Sequence, residues 1–502
     1  MRAVAAALAP PDIPRRALAA CAGLAVLLVA VVALDLRPAW VLVGLTAGMT
    51  AWASYRYFLQ WHVLAGSIVL CILIVPIARY GLPITLPFQL EPYRFLVMIV
   101  AILWLAALLA EPKSIRLQRT GLRGPLLVVL GTLVISVAAN LGTIHARGVT
   151  MDVVFKFSFF ASFMLVTLIL GSVLRTRDDI DRVVKVMIGG GAVVAFSTLV
   201  ENKTGFNVFD HLHQVFPVLV FDPAGAPNGL EVRGSGFRVY GSAQHPLALG
   251  AALVLLIPPA IYLCWRTRRK VWYAALGLIA IAALATVART AVMMLVVEAI
   301  LLACLKPRAV KRIWWMIPPF LVVVNLAVPA TLGTLKASFF PEGGLIAQQN
   351  TNPGGDASNR ISDLGPGLKE AQQTFFFGQG WGTRVPANLD PAKTRRILDN
   401  QWLGVLLEAG WVGVFAWGWF FVRNVRLLSR AALRDPTDLS WLSAALAASI
   451  LGFAVGMFTY DAFGFPQATL LMFIMVGLGI AVRRVAFEAP QAPEPGRLTA
   501  VG

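Results

Sequence analysis

The strongest constraint in this chain is a succession of long apolar runs, each close to the length of a membrane-spanning helix. A bilayer core about 30 Å thick takes about 20 helical residues, with a range of about 17–25. Runs of that kind lie at 18–34, 39–54, 62–78, 94–110, 125–142, 152–174, 185–202, 243–264, 272–287, 290–305, 314–331, 401–422, 441–459 and 467–483. The expected fold is all-α: a polytopic transmembrane helical bundle of about fourteen spans. It falls to twelve if the second run is dropped and the pair 272–305 is merged. One helix over 272–305 would be about 51 Å long at about 1.5 Å per residue, so two short helices turning at Ala288-Arg289-Thr290 are expected instead. The chain is 58% hydrophobic and 14% charged, with a mean hydropathy of +0.74. Soluble domains carry about 25% charged residues, and disorder needs low hydrophobicity; both classes are excluded.

The second feature is charge: 43 Lys and Arg against 25 Asp and Glu, a net +18. In a soluble chain this excess would point to nucleic acid. In a membrane protein its distribution reads topology. With the N-terminus in the cytoplasm, 27 of the 43 basic residues fall on the inside, nearly all in short segments. These are 2–16, 56, 113–123, 175–185, 266–270, 306–312, 423–434 and 483–497. The positive-inside rule then puts both termini in the cytoplasm and the chain in the plasma or inner membrane, the first run serving as a retained signal anchor.

The expected organisation is a cytoplasmic tail (1–17), a transmembrane bundle (18–331), an extracytoplasmic loop (332–400) between the eleventh and twelfth spans, C-terminal spans (401–485) and a Pro- and Ala-rich disordered tail (486–502). The 69-residue loop is too short for an enzyme domain and long enough for a lid, with a helix-like stretch at 364–374. A second outer segment covers about 203–242. Cys21, Cys71, Cys264 and Cys304 lie in apolar runs without C-x-x-C spacing and read as small buried hydrophobes.

Candidate chemistry gathers on the outer side. Arg289 sits between two apolar runs, either as an interfacial residue snorkelling to water or as a functional cation. The stretch from Arg233 to Pro246 brings Arg233, Arg238, Tyr240, Gln244 and His245 to the start of a span. Headgroup contacts and an aromatic belt would explain it; so would a site. Arg360 opens the helix-like part of the large loop, and Asp399-Asn400 immediately precedes the span at 401. Asp399 reads as a helix N-cap first and as a surface base second. Several arginines at one mouth suit a diphosphate, because guanidinium binds phosphate bidentately and keeps its charge. There is no metal-ligand constellation, no cofactor motif and no G-x-x-x-x-G-K-[ST] loop, and the glycines of 378–382 do not follow a strand.

The order of these motifs resembles the O-antigen ligase and polymerase family of polytopic glycan enzymes. The resemblance rests on Gly241-x-x-x-His245-Pro246 and on Ala288-Arg289-Thr290-Ala291, where the family usually has Ser-Arg. It continues with Ser358-Asn359-Arg360, Phe376-Phe377-Gly378-Gln379-Gly380, Asp399-Asn400-Gln401-Trp402-Leu403 and Leu407-Glu408-Ala409-Gly410-Trp411-Val412-Gly413. It runs from about 240 to 413; the first 200 residues match only as a set of helices. Ligases of the family typically have His where this chain has Asp399, which tilts the reading towards polymerase. The resemblance implies a metal-independent glycosyltransferase using a polyprenyl-diphosphate-linked glycan donor and a glycan or lipid acceptor on the outer face. Arg238, Arg289 and Arg360 would bind the diphosphate, Asp399 or His245 would be the base, and Asn400, Tyr240 and Arg233 would orient the acceptor. Two alternatives stay open: a lipid-linked glycan flippase, and a peptidoglycan-type glycan polymerase.

Overall fold

The computed structural model describes residues 60–83, 90–110, 121–223, 232–233, 236–308, 311, 317–328, 333, 336, 364–384, 399–434 and 437–488, with backbone alone at 232–233, 236–237 and a few helical positions. The expected spans at 18–34 and 39–54, Arg360, most of the loop 332–400 and nearly all of the C-terminal tail lie outside the described residues. The chain divides into two compact units, Met1–Ser67 and Ile68–Gly502. The first is described only from Gln60, as the opening of helix α1 (Trp61–Ile74).

The second unit is, over its described residues, mainly helical. It contains α2 (Pro92–Ala110), α3 (Arg123–Ala139), α4 (Leu141–Ala146), α5 (Thr150–Val173) and α6 (Arg177–Thr204). After these come α7 (Pro246–Thr267), α8 (Lys270–Ala285), α9 (Arg289–Leu305) and α10 (Ile317–Ala327). The last four are α11 (Leu364–Gln373), α12 (Gln401–Arg434), α13 (Leu439–Gly456) and α14 (Pro466–Glu488). Two small antiparallel ladders pair β1 (Tyr80–Gly81) with β2 (Val220–Phe221), and β3 (Val232–Arg233) with β4 (Gly236–Phe237). Among the described residues seven helices are long and apolar enough to cross a membrane: α2, α5, α6, α7, α12, α13 and α14. Helices α8 and α9 are separate, with the turn at Thr286–Ala288, as their combined length required.

Local sequence explains the boundaries. Thr176 and Asp179 form a reciprocal capping box that starts α6. His245 caps α7 and Pro246 opens it, where a missing N–H costs nothing. Asn400 caps α12: its Oδ1 accepts from the Leu403 N–H at 3.1 Å. The cap expected at Asp399 therefore belongs to the next residue, whose amide oxygen is the one that reaches the third N–H of the helix. Pro258 and Pro259 lie inside α7.

Helices α7, α13 and α14 form the interior, buried over 89%, 83% and 83% of their apolar windows, against 28% for α2. Side chains on the outer helices, such as Ile102, Leu127 and Val134, stay exposed, as expected where lipid rather than water is the surrounding solvent. Cys304 is exposed too, correcting the expectation of burial; Cys71 is half-buried and Cys264 buried.

The helix ends sort into two faces. One gathers the basic segments. Arg177 bonds Asp438 at 2.5 Å, and Arg266 lies 3.7 Å from Asp181 and 3.5 Å from Asp438. Lys306 donates to the Ala432 carbonyl and to Ser440, and Arg484 donates to the Ser172 and Leu174 carbonyls. The other face carries the ends at Ile72–Arg79, Glu91–Arg94, Glu201–Asp210, Tyr240–His245, Thr286–Thr290, Asn400–Gly410 and Met457–Phe465; Glu91 accepts from the Ala78 N–H at 3.0 Å, and the contacts described next link the rest.

Candidate active site

The segment that starts α7 is gripped by charged side chains. The Glu201 carboxylate at the end of α6 accepts from the Tyr240 and Gly241 N–H groups at 3.0 and 2.9 Å. The fully buried Arg79 guanidinium donates to the Gly241 and Ala243 carbonyls at 2.6 and 2.9 Å and pairs with Asp210 at 2.5 Å. It also lies 5.1 Å over the Tyr240 ring. Asn207 donates to the Gly241 carbonyl, and Gln467 on α14 donates to Ser242. Gly241 has φ +50°, and a Cβ there would come within 2.8 Å of the Thr198 hydroxyl. The Tyr240 hydroxyl donates to Asp210 at 2.9 Å; burial and that carboxylate push the phenol's pKa up, so it remains protonated. Tyr240 is therefore built into the grip. His245 follows, half-buried; its Nδ1 accepts from the Leu247 N–H at 3.2 Å, which places the neutral ring's own proton on Nε2.

Arg289 is the first residue of α9, half-buried. Just before it Val287 holds φ +50°, a region that β-branched residues avoid. Gly250 of α7 packs closely on this turn, where a Cβ would meet Thr286 and Ala291. Asp399, half-buried, directly precedes the Asn400 cap.

What joins these parts is the loop between α13 and α14, Met457–Phe465. The Thr459 hydroxyl is 2.8 Å from that of Thr290, beside Arg289. The Met457 and Tyr460 carbonyls accept from the Gln401 N–H, and the Gln401 side chain accepts from Phe463 N–H at 2.7 Å. The Phe465 ring lies 5.7 Å from that of His245. His245, the Arg289–Thr290 start of α9 and the Asn400–Gln401 start of α12 thus share one supporting loop. Asp461, within it, has its pKa pushed up to about 6. Burial is the main cause; Glu408 and Asp399 push the same way, and Lys156 opposes them. Arg238 is half-buried beside the gripped segment; Arg233 is described by backbone alone, in β3.

A third assembly lies at a break in α12. Gly410 has φ 66° and ψ −170°, a conformation essentially confined to glycine. The Phe375–Gly380 segment docks there: Gln379 and Gly380 N–H donate to the Leu407 and Glu408 carbonyls, and Trp411 and Val412 N–H donate to the Phe375 and Phe376 carbonyls. The polar groups released by the break are thereby satisfied, a requirement at membrane depth. The buried Glu408 carboxylate pairs with Lys156 of α5 at 2.8 Å, and Lys156 lies 5.5 Å over the Trp381 ring. A narrow cleft beside this pair is walled by Phe159, Phe160, Phe163 and Phe463.

Sequence reading missed Arg79, Glu201, Asp210, Asp461 and the whole α13–α14 loop. Lys156 and Glu408 carried a usable signal, as lone opposite charges in two apolar runs. Glu298 of α9 carried the same signal; it is fully buried against Gly452. Among the described residues no three His, Cys, Asp or Glu side chains group as a metal site.

Residues 246–418 match the O-antigen ligase family. The match extends from the first residue of α7 into the middle of α12, and overlaps the range read from the motifs nearly end to end. No curated protein matches the chain.

Proposed function

We propose that this chain, a multi-pass membrane protein whose segment 246–418 belongs to the O-antigen ligase family, transfers or polymerises glycan from a polyprenyl-diphosphate-linked donor. The reaction takes place on the face opposite the basic loops, which is the outer face of the plasma or inner membrane, with about fourteen spans and both termini in the cytoplasm. The observation that carries this reading is the convergence of the His245, Arg289–Thr290 and Asn400–Gln401 segments on the single loop Met457–Phe465.

In this scheme an acceptor hydroxyl of a glycan or lipid attacks the donor's anomeric carbon. The bond from that carbon to the diphosphate oxygen breaks, and the hydroxyl proton passes to Asp399 or to His245, whose Nδ1 is then released from the Leu247 N–H. Arg238 and Arg289, with Arg360 from the large loop, take up the charge developing on the lipid diphosphate without a metal ion. Asn400, Tyr240 and Arg233 orient the acceptor, Tyr240 through the backbone it fixes, since Asp210 holds its hydroxyl. The docked Phe375–Gly380 segment fixes the C-terminal end of the loop 332–400 as it covers the site and excludes water.

Arg289→Ala tests the proposal. Loss of one charge donor of this kind lowers turnover by about 10²–10³, so lipid-linked donor should accumulate with no long polymer while protein level stays normal. Full-length polymer from the variant would refute it. A break in a helix beside a charged pair is also a transporter feature. Purified protein in vesicles separates the two: a flippase moves donor between leaflets, and the enzyme forms a new glycosidic bond.

A further inference from the structure

Between α6 and β2 the chain forms a compact segment with an unusual surface for an extramembrane connection. Phe206, Val208, Val215, Phe216, Val218 and Val220 are all exposed, between 40% and 71%. No Asp, Glu, Lys or Arg occurs from His211 to Phe221. In water such a patch would leave apolar area uncovered at about 25 cal/mol per Å², and patches of this kind mark an interaction surface.

The exposure does not come from a loose chain. Asn207 Oδ1 accepts from the Phe209 N–H at 2.8 Å and caps the turn Val208–His211. The Tyr80 hydroxyl donates to the Phe209 carbonyl and accepts from the Leu212 N–H. Asp210 is held by Arg79 and Tyr240, β2 pairs with β1, and the Phe221 ring packs against Tyr80 and His213. The root of the segment is polar and fixed; its tip is apolar and presented outward.

The apolar surface is also continuous with one that faces lipid. Helix α6, long and apolar enough to span, exposes Val193 and Phe196, and Phe206 follows just beyond its end. Lys203, exposed at that end, suits the level of lipid phosphates, where long basic side chains extend to the interface.

We infer that Phe206–Val220 is a membrane-dipping loop, its tip at Val215–Val218 buried in the headgroup–acyl boundary of the leaflet on the candidate-site face. Apolar contact without a spanning helix is the mode of interfacial anchors. Because Asn207 and Asp210 at its root also bind Gly241, Tyr240 and Arg79, the loop ties the segment that starts α7 to the bilayer surface.

The test uses the full wild-type chain in nanodiscs of phosphatidylcholine and phosphatidylglycerol, doped with a phosphatidylcholine carrying a diazirine in its acyl chain. After irradiation, adducts are mapped by mass spectrometry. Adducts should appear on 214–221 at a yield comparable with that on 193–196 of α6, the internal standard for lipid contact. The double variant Phe216→Asp, Val218→Asp should lose the adducts on 214–221 and keep those on 193–196. Adducts on 193–196 with none on 214–221 in the wild-type chain would overturn the inference, because a tip in water or covered by a second copy gives that pattern.

Discussion

The two faces of the bundle use charge in opposite ways. On the basic face the ion pairs are half-exposed: Arg177 and Asp438 keep 33% and 38% of their side-chain surface, and one Asp438 serves both Arg177 and Arg266. On the other face two arginines are sunk. Arg79 is fully buried and makes three hydrogen bonds, and Arg94 is buried beside Glu91 while lying 3.8 Å over the Phe159 ring. A half-exposed charge is screened and stays interchangeable with its neighbours. A buried one is costly unless every partner is in place, and so it fixes geometry. The basic face keeps its charges within reach of water; the other face is built to hold backbone still.

That contrast can be broken experimentally, beginning with its deepest element. Arg79→Ala leaves Asp210 and two carbonyls without their cation, and should cost about 3–5 kcal/mol, as loss of one partner of a buried pair does. A large fall in thermal midpoint in detergent is expected, and an unchanged midpoint would deny the grip on Gly241–Ala243 any structural weight. Gly410→Ala comes next. It forces a Cβ into the Phe376 carbonyl at a glycine-only conformation worth about 1–3 kcal/mol. Phe375–Phe377 should become open to chymotrypsin while the rest of the chain resists; uniform resistance would count against the docked break.

Asp461 gives a pH-dependent test. Its folded pKa of about 6 lies above the ordinary 3.8, so the folded chain binds that proton more tightly than the unfolded one. Its contribution is most favourable below 3.8 and is lost as pH rises through about 6. Asp461→Asn should therefore raise the midpoint at neutral pH, with the gain vanishing in acid. A gain that persists below 3.8 would show that burial of charge is not its origin. The smallest effect belongs to the basic face: Arg177→Ala should cost about 0–1 kcal/mol, and less as salt is added. A cost like that of Arg79→Ala would erase the distinction between the faces.

Much of this molecule is written in local sequence. Runs of apolar residues give the helices because a backbone in lipid has to satisfy its own hydrogen bonds. The spacing of Arg and Lys gives the two faces, because insertion reads charge close to each span. Thr176 with Asp179, and His245 with Pro246, mark helix starts through bonds to residues only two or three positions away. The motifs between 240 and 413 were legible as a family pattern for the same reason, each being a short contiguous string.

The partnerships were not legible. Arg79 meets Gly241 across 162 positions, and Lys156 meets Glu408 across 252. Nothing near either residue in the chain announces the other. The loop Met457–Phe465 has one charge and no motif, yet it touches three of the segments that carry the candidate chemistry. Sequence alone determined the helical class, where many of the described helices begin and where the basic residues gather, because those follow from solvation and from neighbours along the chain. Which residues meet was decided only by packing, because convergence of distant segments is a property of how α7, α9, α12, α13 and α14 fill one interior.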